Sequence, residues 1–163
     1  MATDVTLADF TTPDLVVPRL QGRDTSSVVQ ELSAVLQRSG CLPDLLPFYH
    51  AALNREFLGS TAVAPGWALP HARIKGLAKV VFALGRADEP VRWGGRDSHP
   101  VRLVFLCAVP ETDATGYMTL LGGIARCQQA PAPSEGLLNA PDARAMFKIL
   151  KTVPLRPLPT ALA

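Results

Sequence analysis

The chemically suggestive residues of this chain are a histidine, an arginine and two hydroxyls in one short stretch. His71 is a nucleophile that can accept a phosphoryl group, and an unperturbed pKa of roughly 6.5 leaves it largely neutral near pH 7. The guanidinium of Arg55 is a planar fork that suits phosphate oxygens. The hydroxyls or backbone N–H groups of Ser60 and Thr61 can add hydrogen bonds to those oxygens. These residue types favour phosphoryl transfer to His71.

A turn, a short strand and a proline must position His71. Pro65-Gly66 predicts a turn, because proline presets φ and glycine accepts a positive φ. Residues 67–69 are apolar and long enough for a short buried strand. Pro70 cannot donate to a sheet and is expected to end that strand. His71 is therefore predicted where a strand gives way to a loop, a common place for functional side chains.

Helical spacing of apolar residues appears in four segments. A helix is predicted from Thr25, with Asp24 or Thr25 as its cap and Gly40 just beyond its end. A second is predicted over residues 44–56, with Pro47 in its first turn and Arg55 at its end, pointing toward the His71 loop. A third follows a cap at Thr112 or Asp113. Its buried face is expected to hold Tyr117, Leu120, Leu121, Ile124 and Ala125.

The last helix is predicted to start with Pro141 at its first position. Its inward residues are expected to be Ala143, Phe147 and Leu150. Residues 128–139 are predicted to be irregular because they are rich in proline. Gly122-Gly123 inside the third helix should be unfavourable by about 1 kcal/mol each, unless another group packs against them.

Three apolar segments predict strands in an α/β fold. Residues 15–17 suit an edge strand, residues 78–87 a largely buried strand, and residues 101–109 a central strand covered on both faces. Alternation with helices predicts a mixed sheet flanked by helices on both faces. We expect one domain over residues 1–163, with a core of about 13–151, loose N-terminal residues and a loose proline-rich tail.

Composition excludes several classes of protein. The chain has 163 residues, 48% hydrophobic and 18% charged, with a net charge of +2, which is typical of a globular domain. Its basic residues are scattered, so we expect no nucleic-acid partner. We expect no secretory signal, because the N-terminus has neither a basic n-region nor an apolar h-region. We expect no membrane insertion, because no apolar run approaches about 20 residues. Cys41, Cys107 and Cys127 lack Cys-x-x-Cys spacing, which favours reduced thiols in the cytoplasm.

Competing chemistries have little support in the sequence. His50 and His99 are interpreted as ordinary helix and loop histidines. Histidines and carboxylates are not paired at ligand spacing, so no metal is expected. Neither a nucleophile elbow, a Walker loop nor a dinucleotide fingerprint is present, so no nucleotide cofactor is expected.

The signature around His71 resembles one known family. The matching residues are Arg55-Glu56, Ser60-Thr61, Gly66, Ala68 and Pro70-His71, followed by Pro90-Val91, Trp93, Asp97 and Pro100-Val101. As a set they resemble the type-2 EIIA domain of the bacterial phosphoenolpyruvate:sugar phosphotransferase system (PTS), the fructose/mannitol type, which includes a nitrogen-regulatory branch. The resemblance is strongest over about residues 54–126.

This resemblance implies that His71 accepts phosphate from the phosphocarrier protein HPr or its nitrogen-branch equivalent. The phosphoryl group would then pass to a IIB component, or the phosphorylated chain would regulate a partner protein. The family usually carries a second histidine early in the helix after residue 110, and Tyr117 stands at that position here. A tyrosine can hydrogen-bond a phosphoryl oxygen or the imidazole but cannot become cationic. A non-transferring regulatory domain of the same fold is the alternative.

Overall fold

The computed structural model describes residues 5–63, 66–94 and 99–155, and a six-stranded mixed sheet forms its centre. The strands are β1 (Val16–Val17), β2 (Ala62–Val63), β3 (Trp67–Ala68), β4 (His71–Ile74), β5 (Val81–Trp93) and β6 (His99–Pro110). Their order is β1-β5-β6-β3-β2, and β4 also pairs with β6. β5 and β6 are antiparallel, whereas β3 and β4 run parallel to β6. The predicted mixed sheet is confirmed.

Helices cover both faces of this sheet, as predicted. They are α1 (Thr25–Arg38), α2 (Leu45–Leu58), α3 (Ala114–Gln129), α4 (Pro131–Asn139) and α5 (Ala143–Leu150). The α1 and α2 side chains form one buried cluster with one face of the sheet. The side chains of α3, α4 and α5 form a second cluster with the opposite face. The sheet is therefore the middle layer between two apolar cores.

Strand β6 separates the two cores. Its alternate side chains Leu103, Phe105 and Cys107 belong to the α3 side, and Val104 and Leu106 belong to the α2 side. Alternation follows from the two-residue period of a strand, and burial on both faces explains why the strand is apolar at every position from Leu103 to Val109. The predicted central strand is confirmed.

Local capping residues set several helix boundaries. Asp24 caps α1 by accepting a hydrogen bond from the Ser27 N–H at 2.9 Å, and Gly40 after the helix has a φ of 79°. Asp113 caps α3 through the Gly116 N–H at 2.8 Å. In α2 the most buried aromatic is Phe48, whereas Leu45 and Tyr49 are only half-buried.

Two predictions about the C-terminal third were wrong. Residues 131–139 form α4, because a proline at the first helical position lacks only an N–H that has no helical partner there. Helix α5 begins after Asp142, whose carboxylate caps it through the Ala145 N–H at 2.8 Å, so Pro141 lies outside. Its buried side chains are Met146 and Leu150, and Phe147 is half-buried.

Strand β5 was also predicted with the wrong limits. It starts at Val81 and continues to Trp93, beyond the expected end at residue 87. Its register with β6 shifts between Arg86 and Val91. The residues between Arg86 and Val91 form this bulge and are not paired with β6. Val91 and Trp93 then pair with β6 again.

The packed part of the chain extends beyond residues 13–151. Leu7, Val153 and Leu155 are buried in the α3-side core, and the Leu7 N–H donates to the Val153 carbonyl at 3.1 Å. A Cβ on Gly123 would lie 1.9 Å from Leu155 Cδ2, which explains a glycine inside α3. Residues 156–163, Pro65 and Asp97 lie outside the described residues.

Candidate active site around His71

His71 is the first residue of β4, and the sheet fixes the face on which its side chain lies. Ala68 pairs with Val104 and His71 with Cys107, so β3 and β4 keep one register along β6. The Pro70 carbonyl accepts a hydrogen bond from Cys107 N at 2.9 Å. The proline therefore interrupts the strand without ending it, because only its N–H is missing. The expectation of a strand-to-loop position for His71 was wrong, since His71 begins a new strand segment.

A hydrogen bond to the backbone orients the His71 ring. Its Nδ1 lies 3.1 Å from the carbonyl oxygen of Leu69. Because a carbonyl oxygen can only accept, Nδ1 carries the proton in this contact. In the neutral ring, Nε2 then has an available lone pair. The nucleophilic atom that this geometry offers is Nε2.

The surroundings of His71 keep the imidazole neutral. The ring is half-buried, and this burial lowers its pKa below the ordinary value of 6.5. The positive charges of Arg55 and Arg73 lower the pKa further. The hydrogen bond to Leu69 and the negative charge of Glu56 oppose this shift without cancelling it.

Tyr117 lies against His71. It is in the first turns of α3, and the centroids of the two rings are 5.1 Å apart with the planes tilted by 40°. Tyr117 is only 9% exposed, and burial raises the pKa of its phenol well above the usual range. The phenol therefore keeps its proton at neutral pH and can act as a hydrogen-bond donor.

Arg55 is exposed in the last turn of α2 and lies within electrostatic range of both rings. Its positive charge lowers the pKa of His71 and also that of Tyr117. Its Nη1 donates to the carbonyl of Gly59, the residue that ends α2, at 2.8 Å. Arg55 therefore belongs to the surroundings of His71 while one of its donors is held by the helix end.

Ser60 and Thr61 differ in what their hydroxyls contact. The Thr61 hydroxyl and backbone N–H both donate to the carboxylate of Glu56, so they are engaged within the protein. The Ser60 oxygen accepts from Ala62 N at 3.1 Å, and its hydroxyl proton remains available for a further contact. Of the two, Ser60 is the better candidate for a phosphoryl oxygen.

Two charged residues near His71 received no role from sequence reasoning. Arg73 follows His71 by two positions in β4, which places both side chains on the same side of the strand. Glu56 is only 7% exposed, although a carboxylate beside Arg55 on a helix end suggests a surface position. The strand period could have identified Arg73. No signal in the sequence shows that Glu56 is buried.

The other histidines are not part of this arrangement. His50 is exposed on α2, where its ring contacts Tyr49 with centroids 5.4 Å apart. His99 is exposed at the start of β6, paired with Trp93. Within residues 5–63, 66–94 and 99–155, no group of three or more His, Cys, Asp or Glu side chains could hold a metal ion.

A mixed sheet between two helical layers is also the fold of solved IIA domains of the phosphotransferase system. The chain belongs to the family described as "Phosphoenolpyruvate-dependent sugar phosphotransferase system, EIIA 2", whose model matches residues 9–153. The resemblance found in the signature is confirmed.

Several relatives share most of their length with this chain. A nitrogen regulatory protein of Bradyrhizobium diazoefficiens is 30% identical over 149 residues, which cover 91% of this chain and 96% of the relative. The crystal structure of nitrogen regulatory protein IIA-Ntr from Neisseria meningitidis matches with a TM-score of 0.77 at 28% identity, covering 88% of this chain and 98% of that one.

Mannitol IIA of Escherichia coli, in its complex with phosphorylated IIB, shares the fold. Its TM-score is 0.71 at 15% identity, and the match covers 85% of this chain and 95% of that one. In the part of the chain that the structure describes, none of the helices is both long and apolar enough to span a membrane.

Proposed function

We propose that this protein is a phosphoryl carrier of the PTS EIIA type, in which His71 Nε2 accepts the phosphoryl group. The observation that carries the proposal is the hydrogen bond from His71 Nδ1 to the Leu69 carbonyl, which leaves Nε2 as the free nucleophile. The lowered pKa of His71 supports it, because a protonated imidazole has no lone pair to offer.

The transfer moves one phosphoryl group between two nitrogen atoms. The Nε2 lone pair of His71 forms the new N–P bond while the N–P bond of a donor phosphohistidine breaks. The electron pair of that bond stays on the donor imidazole, which leaves neutral. The His71 ring becomes cationic and keeps its Nδ1 proton, which the Leu69 carbonyl stabilises.

Four side chains can stabilise the phosphorylated product. Arg55 and Arg73 supply positive charge for a group that carries close to two negative charges. Ser60 can donate its hydroxyl, and Tyr117 can donate its phenol. The contacts of Thr61 with Glu56 support a positioning role for Thr61 in place of direct phosphoryl binding.

The donor that we propose is a small protein, an HPr-like phosphocarrier. Apolar side chains are exposed on the elements that carry Arg55 and Tyr117, namely Phe57 and Leu58 on α2 and Met118 on α3. Exposed apolar residues around a reactive group favour docking of another protein surface. A cytoplasmic location is part of the proposal, since the three cysteines are free thiols, as in a reducing compartment.

The regulatory branch is the better candidate for the use of the phosphoryl group. Two relatives that this chain covers almost completely are named nitrogen regulatory proteins. Tyr117 stands where the resemblance implies a second histidine, and a phenol that keeps its proton cannot serve as a second nitrogen base. Transfer to a IIB component is the second candidate.

The test is incubation with a phosphorylated HPr-like carrier, followed by mass-spectrometric mapping at neutral pH. We expect acid-labile, base-stable phosphate on the wild-type protein and none on His71→Ala. His50→Ala and His99→Ala are matched controls that should retain the label. Label persisting on His71→Ala would assign the site to another residue. An unlabelled wild-type protein with every carrier tried would support a binding-only domain.

A further inference from the structure

A series of hydrogen bonds connects a buried carboxylate to the His71 ring. The Thr61 hydroxyl donates to Glu56 Oε1. The Leu69 N–H lies 3.2 Å from Thr61 Oγ1, and the Leu69 carbonyl lies 3.1 Å from His71 Nδ1. Each contact begins where the preceding one ends, so the Leu69 peptide lies between Thr61 and the histidine.

The chemistry of the groups fixes the direction of this series. A carboxylate can only accept, so the hydroxyl proton of Thr61 must point toward Glu56. The lone pairs of Thr61 Oγ1 are then free to accept from the Leu69 N–H. With its N–H held, the Leu69 peptide presents its carbonyl to His71. The backbone carbonyl of Thr61 adds a second acceptor for the same N–H at 3.3 Å.

Glu56 is a fixed anchor for the series. It is 7% exposed and accepts two further hydrogen bonds, from Thr61 N at 3.1 Å and from Trp93 Nε1 at 3.2 Å. Trp93 is at the end of β5 and is completely buried. The carboxylate therefore joins the end of α2, the segment before β2 and the end of β5 at one point.

From these contacts we infer that Glu56 and Thr61 are positioning residues, which hold the Leu69 peptide so that its carbonyl keeps the proton of His71 on Nδ1. If the peptide turned, the proton could move to Nε2, and that nitrogen would lose the lone pair that attacks phosphorus. The consequence for transfer rests on the proposed function, whereas the tautomer itself can be measured without any phosphoryl donor.

The test uses Thr61→Val, which keeps the shape of the side chain and removes the hydroxyl. We expect ¹⁵N NMR of the histidine ring to show a smaller Nδ1–H tautomer fraction than in the wild type. The rate of phosphoryl acceptance should fall by about threefold to tenfold, the effect of losing one hydrogen bond. Thr61→Ser should restore both the tautomer and the rate.

Glu56→Gln gives an independent result. An amide N–H₂ group in place of Oε1 cannot accept from the Thr61 hydroxyl, so that hydrogen bond must reverse its direction or be lost. The His71 pKa should fall further, because the negative charge that raises it is removed. Thr61→Val leaves that charge in place.

The matched control is Thr152→Val, which removes a threonine hydroxyl bonded to the Ile149 carbonyl at the end of α5. It should leave the tautomer and the rate as in the wild type. A wild-type tautomer spectrum in folded Thr61→Val, or no recovery in Thr61→Ser, would overturn the inference. If the wild-type protein accepts no phosphate, the proposed function fails, while the tautomer spectra still decide the inference.

Discussion

Replacing Arg55 by glutamine should shift the phosphoryl equilibrium more than it weakens docking of the donor. In the unphosphorylated protein, Arg55 Nη1 donates to the Gly59 carbonyl at 2.8 Å. A phosphoryl group on His71 would attract the guanidinium of Arg55, which can make two parallel hydrogen bonds to phosphate oxygens. Arg55 would then exchange one hydrogen bond to a neutral carbonyl for two to an anion.

The size of the shift follows from this exchange. The net gain is about one hydrogen bond to a charged group, roughly 1.5–3 kcal/mol when buried. Arg55 is exposed, so we reduce the gain for solvent screening to about 1–2 kcal/mol. At 1.4 kcal/mol per factor of ten, Arg55→Gln should shift the equilibrium toward the phosphorylated donor by about 5- to 30-fold.

The assay measures the fraction of phosphorylated His71 in defined mixtures of phosphorylated and free carrier. Calorimetric titration with unphosphorylated carrier measures docking separately. The phosphorylated fraction of Arg55→Lys should lie between those of the wild type and Arg55→Gln, because lysine keeps the positive charge but lacks the planar guanidinium. Arg38→Gln, at the last turn of α1, is the matched control. If Arg55→Gln left the phosphoryl equilibrium unchanged and instead weakened docking of the carrier by about 5- to 30-fold, a role of Arg55 in stabilising the product would be refuted.

Two further predictions concern the rings at the site. Burial and the positive charges of Arg55 and Arg73 lower the pKa of His71, so the imidazole should stay largely neutral somewhat below pH 6.5. The rate of phosphoryl acceptance, measured against pH, should therefore fall to half only below pH 6.5. A rate that is already halved at pH 6.5 or above would contradict this. Tyr117→His should speed onward transfer to a IIB component, because an imidazole can act as a cation or a base, whereas Tyr117→Phe should not. Equal transfer rates in stopped-flow mixing for Tyr117→His and the wild type would show that the second histidine is not what this chain lacks.

Local signals in the sequence were sufficient for much of the fold. The cap at Asp24 and the glycine at position 40 bracket α1, because these features act through the nearest turn. The unbroken apolar run of β6 indicated that helices pack on both faces of this strand. Helix α4 was not predicted, because the prolines of this segment were read as helix breakers although a proline is tolerated at the first helical position. The far half of β5 was not predicted, because pairing with β6 overrides the expected effect of the polar residues there.

The candidate site was only partly predictable for a similar reason. Arg55, His71 and Tyr117 stand out by residue type and by the family signature. Ser60 and Thr61 have different roles because only Thr61 is bound to Glu56. Glu56 becomes buried only when the end of α2 packs against the end of β5. That contact joins residues 37 positions apart, so no local pattern encodes it.

The most direct test of the account locates the new N–P bond on the His71 ring. Protein with ¹⁵N-labelled histidine would be phosphorylated by a carrier and examined by ³¹P and ¹⁵N NMR at neutral pH. We predict that the phosphorus couples to Nε2 of His71 and that Nδ1 keeps its proton, as the hydrogen bond to Leu69 requires. Phosphorus bonded to Nδ1, or to any residue other than His71, would contradict the account.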